Sequence, residues 1–248
     1  MRITYVITYK HRPDRILHLR KVLEWLSGFS NIDVMLVEQD THSKIKHLSL
    51  KAKHIFIKND GVFNKSWAYN VAIKRNQNPI IVFGDSDIIM NPHEFISAIN
   101  EINNYDVISP YSSVLDLTRE ESEWPFANLL AIQRPGRGET DNQKINLCGG
   151  ITIFKAESIM KIGGWCEEFL AWGGEDDAQT LKVKTIGLTY KEMPYRCYHF
   201  FHTRDEMNMS LYQRNLQILD KFNSMSKEDL TRYISSRVNK IGMMNQYF

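Results

Sequence analysis

The sequence predicts an α/β fold: a mostly parallel central sheet flanked by helices. Short β-branched and aromatic runs alternate with segments of helical period through the first half of the chain, the β-α-β order that gives such a sheet. Polar residues gather just after those runs, and open α/β sheets bind ligands beyond the carboxyl ends of their strands. At 248 residues, 43% hydrophobic and 24% charged, the chain suits one large domain over 1–210 with a C-terminal helical appendage over 211–248 packed on it.

Ile3 to Tyr9 (ITYVITY) is the first strand by composition. Pro13 follows where a first helical turn tolerates it; Ile16, Leu19, Leu23 and Leu26 recur at helical spacing, and Gly28 is a stop. Ile32 to Val37 is a second, buried strand that ends at Glu38, Gln39 and Asp40, and His54 to Ile57 is a weaker third. A helix from about Asn64 to Asn76 would bury Trp67, Ala68, Val71 and Ala72. Asn64 and Lys65 lie near its N-terminus, where a diphosphate is favoured and where an Asn also serves as a plain cap. Ile80 to Phe83 is the next strand, Asn91 and Pro92 open a helix as cap and first residue, and Tyr105 to Ser109 is again a strand.

Ser112 to Asn146 shows little periodicity, and a loop of that length is functional or disordered. Its Arg134 and Arg137 would meet an anionic acceptor or stay solvated. ITIF, from Ile151, is a strand, Ala156 to Ile162 a short helix, and Leu188 to Met193 a strand after a helical run. Near the C-terminus, Leu216, Leu219 and Phe222 line one helix, ended by Asn223 and Ser224. Ser226 with Asp229 caps a second, with Leu230, Tyr233, Ile234, Val238 and Ile241 on one face. The strand ends supply the first candidate site residues: Thr8 and Tyr9, Glu38 to Asp40, Asp85 and Asp87.

Two motifs carry chemistry. The apolar strand IIVFG runs directly into Asp85-Ser86-Asp87, and two acids one residue apart can share a hard divalent cation while leaving positions open for phosphate. The next helix already has Asn91 as its cap, so the acids are not needed there. The second motif, Gly163 to Asp177 (GGWCEEFLAWGGEDD), packs four glycines, two tryptophans and five carboxylates into fifteen residues. Acids in a first helical turn match the helix dipole, but that accounts for one acid better than three and for Trp172 not at all. A sugar-facing platform accounts for both: Trp172 stacks on a pyranose ring, and a carboxylate behind it accepts a hydroxyl proton.

WGGEDD preceded by GGWCEEF resembles the signature of the β-1,4-galactosyltransferases and their bacterial relatives, including chondroitin-polymerase-type enzymes. The likeness extends in family order over roughly Ile3 to Asp205, through YKHR, FNKSWAYN, DSD, the Gly149-Gly150 pair before ITIF, and FHTRD. It implies a GT-A (Rossmann-like) glycosyltransferase fold and an inverting, metal-dependent transfer from a nucleotide sugar. By that resemblance Asp87 and His202 bind Mn²⁺ or Mg²⁺, Asp85 contacts the donor, and Arg12 contacts the diphosphate or uridine, though a solvated Arg12 fits the residues equally well. Asp176 is the base, Glu175 binds donor hydroxyls, Trp172 and Asp177 position the acceptor, and Gly150 lets the backbone run close to a sugar. His199 has no counterpart in the resemblance and reads as structural. Thr203 to Ser210, polar and aperiodic after His202, reads as a mobile lid.

The resemblance favours galactose or N-acetylgalactosamine from a UDP-sugar donor, passed to a saccharide or lipid-linked glycan acceptor of a bacterial surface. A retaining enzyme of related fold and a non-catalytic carbohydrate-binding domain are the alternatives. An aspartyl phosphatase also places Asp-x-Asp after an apolar strand, but near its N-terminus and followed by Gly or Thr rather than Ile88-Ile89. Lys plus Arg is 31 against 29 acids, which gives no argument for a nucleic-acid partner. No signal peptide or membrane span is legible, and the three cysteines lack metal spacing, so the expectation is a cytoplasmic enzyme, open to peripheral contact with the inner membrane face. Its oligomeric state is open.

Overall fold

The computed structural model describes residues 2–46, 51–139, 145–203 and 208–243 of the 248. The first half runs β1 (Ile3–Tyr9), α1 (Arg15–Ser27), β2 (Ile32–Asp40), β3 (Lys53–Lys58), α2 (Lys65–Ile73), β4 (Ile80–Gly84), β5 (Ile88–Met90) and α3 (Pro92–Glu101). Then follow β6 (Val107–Ser109), β7 (Ser113–Asp116), α4 (Phe126–Leu129), β8 (Ile151–Lys155), α5 (Ala156–Lys161), α6 (Glu175–Ile186), β9 (Tyr190–Glu192), β10 (Arg196–His199), α7 (Met209–Ser224) and α8 (Lys227–Val238).

The main sheet has seven strands in the order β3-β2-β1-β4-β8-β6-β9. All its pairs are parallel except those of β8, which runs antiparallel to both β4 and β6. Side chains alternate between two cores, as a strand's period of two requires. Tyr5, Ile7, Val82 and Ile153 point into one core with Leu19, Leu23 and Phe95; Val6, Ile81, Phe83 and Phe154 point into the other with Ala68, Tyr69 and Trp165. A smaller sheet, β5-β10-β7, sits beyond the end of β4. There β10 is antiparallel to β5 and parallel to β7.

Several expectations shift. β2 continues through Glu38, Gln39 and Asp40, which pair with Phe56, Ile57 and Lys58, so these polar residues lie in the strand rather than past it. On α2 the buried face is Ser66, Ala68, Tyr69, Asn70, Ala72 and Ile73; Trp67 and Val71 are half-buried. The stretch from 112 to 146 is not one loop, since it holds β7, a short 3-10 turn at Glu121–Glu123, and α4. Within it Arg134 pairs with Glu121, and Arg137 with Asp116 at 2.6 Å, so both guanidiniums are engaged inside the fold. Met209 and Ser210, expected in the lid, open α7, where Asn208 caps by accepting from the Leu211 amide at 3.1 Å; residues 204–207 of that lid lie outside the described residues.

The C-terminal helices pack on α6. Cys166, Phe169 and Ala178 share a third apolar cluster with Phe222 of α7 and with Leu230 and Ile234 of α8. No helix among the described residues is long and apolar enough to cross a membrane. The three cysteines are free and buried.

Candidate active site and metal centre

Past β4 the chain turns through Asp85, Ser86 and Asp87 into β5. Asp85 N donates to Gly150 O at 3.1 Å, and Asp87 O accepts from Phe200 N at 2.8 Å. One end of the turn is thus tied to β8 and the other to β10, so its two carboxylates address different neighbours.

Asp87 addresses a pair of imidazoles. One side-chain atom from each of Asp87, His199 and His202 falls within 4.8 Å of the others. His202 Nε2 lies 3.5 Å from Asp87 Oδ2 and His199 Nε2 3.8 Å from Asp87 Oδ1. Both rings are anchored through the opposite nitrogen. His199 Nδ1 lies 2.9 Å from Asp116 Oδ1, and the hydrogen bond from His199, with help from Arg137, holds the Asp116 carboxyl well below its usual range. That oxygen accepts, so Nδ1 carries the hydrogen, and in the neutral ring the lone pair is then on Nε2, the nitrogen that faces Asp87. His202 Nδ1 lies 3.1 Å from the Thr203 carbonyl, an acceptor, and within reach of the Arg15 guanidinium, a donor.

One buried carboxylate and two imidazole nitrogens, each imidazole oriented by an acceptor behind it, are a donor set that fits a divalent cation. Burial and the nearby Arg15 guanidinium lower the His202 pKa, which keeps the ring in the neutral form a metal requires. Against its burial, Asp116 and Asp87 raise that of His199. Arg15 NH1 stands 3.8 Å from Asp87 Oδ2 and its NH2 3.4 Å from His202 Nδ1, giving the site a fixed positive charge at its rim.

Asp85 faces the other way, toward the acidic helix. Lys65 Nζ lies 3.0 Å from Asp85 Oδ1 and 3.8 Å from Asp176 Oδ1. Burial alone would lower the Lys65 pKa, but Asp176 and Asp85 more than reverse it, so the ammonium stays charged. Asp176 goes up as well: burial raises it, Glu175, Asp85 and Asp177 add to that, and Lys65 opposes. Asp176 Oδ1 is buried with no hydrogen-bond partner. The dipole argument for acids at a helix start would favour an ionised carboxylate; enclosure and neighbouring acids outweigh it here.

The start of α6 has its own logic. Gly174 is left-handed at φ 87, and a Cβ there would stand 2.8 Å from the Phe169 ring. Glu175, also buried, folds its Oε2 back to accept from Gly173 N at 3.1 Å. Asp177 and Trp172 are exposed.

The expected donor side is rearranged. Glu38 is fully buried, and its oxygens accept from Ser43 Oγ (2.6 Å) and Lys44 N (2.7 Å) and meet His54 Nε2 at 2.9 Å, which fixes the turn after β2. Asn64, fully buried, caps α2 by accepting from Trp67 N and donates to Glu167 O at 2.7 Å. Both have internal roles. Thr8 and Tyr9 are buried as well, with the Tyr9 hydroxyl beside His11. Arg12 pairs with Asp14 at 3.5 Å; it is Arg15, one turn on, that reaches the metal-type group. Gly150 is left-handed at φ 59, and a Cβ there would stand 2.0 Å from the Tyr111 hydroxyl, so the backbone here packs closely on Tyr111.

His199, read from sequence as structural, joins Asp87 and His202, a correction that its spacing of three from His202 could have supplied. Asp116, Arg15 and Tyr69, whose hydroxyl lies 3.4 Å from Asp85 Oδ1, carried no sequence signal.

Comparison with known proteins follows the same lines. Residues 139–206 match the family described as the N-terminal domain of galactosyltransferase. No curated protein sequence matches the chain. Among solved structures, a mutant of Drosophila β-1,4-galactosyltransferase 7, complexed with manganese, UDP-Gal and xylobiose, superposes with a TM-score of 0.54 at 11% identity, covering 87% of this chain and 79% of that one. The catalytic domain of the same Drosophila enzyme, in complex with xylobiose, gives 0.53 at 13% identity over 91% and 82%. The chain has the GT-A fold and is galactosyltransferase-like.

Proposed function

From a galactosyltransferase-like GT-A fold we propose that this protein is a metal-dependent glycosyltransferase, moving a hexose from a UDP-sugar to a saccharide hydroxyl with inversion at the anomeric carbon. The observation that carries this reading is a juxtaposition at one strand end. Asp87 with two oriented imidazoles stands on one side of β4's terminus, and Asp176, whose buried Oδ1 makes no hydrogen bond, stands on the other. The likeness to a galactosyltransferase structure that holds UDP-Gal, manganese and xylobiose supports galactose as the sugar moved, with N-acetylgalactosamine the other donor that the sequence resemblance favours.

Asp87, His199 and His202 would hold Mn²⁺ or Mg²⁺, which neutralises the charge that builds on a diphosphate leaving group. Arg15, beside them, adds a cation toward the same anion. Asp176 Oδ1 takes the proton of the acceptor hydroxyl, and that oxygen attacks the anomeric carbon as the bond to UDP breaks, a single displacement that inverts the centre. A carboxyl raised above its ordinary range is a stronger base once ionised, and the Lys65 ammonium 3.8 Å away keeps the ionised form accessible. Lys65 also holds Asp85, the residue that the resemblance gives to the donor. Trp172 offers an exposed ring face to the acceptor, with Asp177 next to the base. The acceptor is a surface glycan or its lipid-linked precursor. Three free, buried thiols suit a reducing compartment on the cytoplasmic side.

The test is turnover over a panel of UDP-hexoses with free, oligomeric and lipid-linked saccharides, read by mass spectrometry, with product anomeric configuration read by NMR. Transfer that stops with chelator and returns with Mn²⁺ is expected. Full activity in excess chelator, or no transfer from any UDP-sugar, overturns the reading.

A further inference from the structure

Helix α7 grips the Trp172 segment. Asn215 is fully buried and bonds the segment at three points: Nδ2 donates to Leu170 O (2.7 Å) and Trp172 O (3.1 Å), and Oδ1 accepts from Leu170 N (3.3 Å). Three residues earlier, Tyr212 stacks on the indole of Trp172 with centroids 5.6 Å apart and planes within 23°. Arg214 donates to Glu168 O at 2.7 Å. Phe63 O also accepts from Ala171 N at 3.0 Å.

The segment needs this support. Ala171 (φ 59), Gly173 (φ 107) and Gly174 (φ 87) are all left-handed, a conformation that an Ala avoids, and Ala171 and Trp172 are exposed, so no apolar burial holds them. Gly173 also brings the backbone close to Tyr212, for a Cβ there would stand 3.1 Å from its ring.

We propose that Tyr212 and Asn215 are positioning residues for the acceptor, making α7 part of the acceptor subsite. Tyr212 covers one face of the indole and leaves the other to a single sugar ring. Asn215 fixes the backbone from which the indole projects. This rests on the reading of Trp172 as the acceptor platform.

Two measurements separate the clamp from that reading. The first needs no substrate: the emission of Trp172, taken as wild type minus Trp172→Phe. In Tyr212→Ala and Asn215→Asp it shifts to the red and loses anisotropy, and Tyr212→Phe restores both. The second uses whichever acceptor the UDP-sugar panel selects. There Tyr212→Ala raises acceptor KM about tenfold with kcat little changed, as the loss of one aromatic stack implies. Affinity for UDP with Mn²⁺, by calorimetry, stays at the wild-type value, and Tyr212→Phe recovers the KM. Trp172 emission unchanged in Tyr212→Ala overturns the clamp, as does a KM defect that Tyr212→Phe fails to recover. A panel that yields no acceptor overturns the functional reading, and the emission data still decide the clamp. Should Asn215→Asp fail to fold, the half-exposed Tyr212 carries the test.

Discussion

At the scale of single residues the site turns on two carboxylates with opposite environments. Asp176 is partly buried and faces other acids, so its folded pKa lies above the ordinary 3.8. The sign of the stability effect follows from linkage: the folded chain holds that proton more tightly than the unfolded one, so stability falls as pH rises from the ordinary value through the raised one. At neutral pH an Asn at 176 removes the cost of ionising a partly buried carboxyl beside Glu175, Asp85 and Asp177. Asp176→Asn should therefore raise Tm while lowering turnover by about 10²–10⁴-fold with UDP affinity unchanged, as loss of a general base implies. The same shift places the acid limb of the wild-type kcat profile above the ordinary aspartate range, with turnover rising as pH increases. Calorimetric scans and a kcat–pH series check both, and a variant both active and no more stable contradicts the account. Asp116 is the reverse case, held ionised by His199 and Arg137. Asp116→Asn should lower Mn²⁺ affinity about 10–100-fold, by titration with metal alone, because it releases the His199 ring. The acidic run and Asp85-Ser86-Asp87 were legible because a strand or glycine pair announces them. Asp116 was not, since an isolated acid gains meaning only from the imidazole set opposite it.

At the scale of elements, β8 does more than fill the sheet. The Tyr111 hydroxyl donates to Gly149 O (2.8 Å) and accepts from Ile151 N (3.2 Å), and Gly150 O in turn holds the Asp85 amide. Gly150→Ala would force a Cβ against Tyr111 in a left-handed backbone. It should cost about 2–4 kcal/mol, a Tm loss of roughly 5–15 °C, and should displace Asp85 enough to lower turnover in the fraction that folds. A variant as stable as wild type would show that Tyr111 moves aside freely. Strands β1 and β4 were legible because long β-branched runs fill both cores. The small sheet was not: β5, β7 and β10 are three or four residues each, too short to show a period, and only their pairing with distant partners makes them strands. β2 ran past its apolar stretch because Glu38 finds hydrogen-bond partners inside the fold, which no local pattern reveals.

For the molecule as a whole, the C-terminal helices belong to the same body as the site, through Phe222, Leu230 and Ile234 below α6 and Asn215 beside Trp172. The small sheet has a kinetic consequence. His199 and Asp116 are 83 positions apart, and β10 must arrive between β5 and β7 before either imidazole can face Asp87. Contacts closed over such lengths of chain form late, after the loop-closure entropy has been met. A cation that binds only the finished arrangement stabilises the native state and leaves the rate-limiting barrier, measured from the unfolded side, where it was. In stopped-flow experiments Mn²⁺ should thus slow the unfolding limb of the chevron and leave the refolding limb unmoved. Faster refolding with metal would mean that the three ligands meet early and seed the fold; the topology instead makes the cation a brake on unfolding.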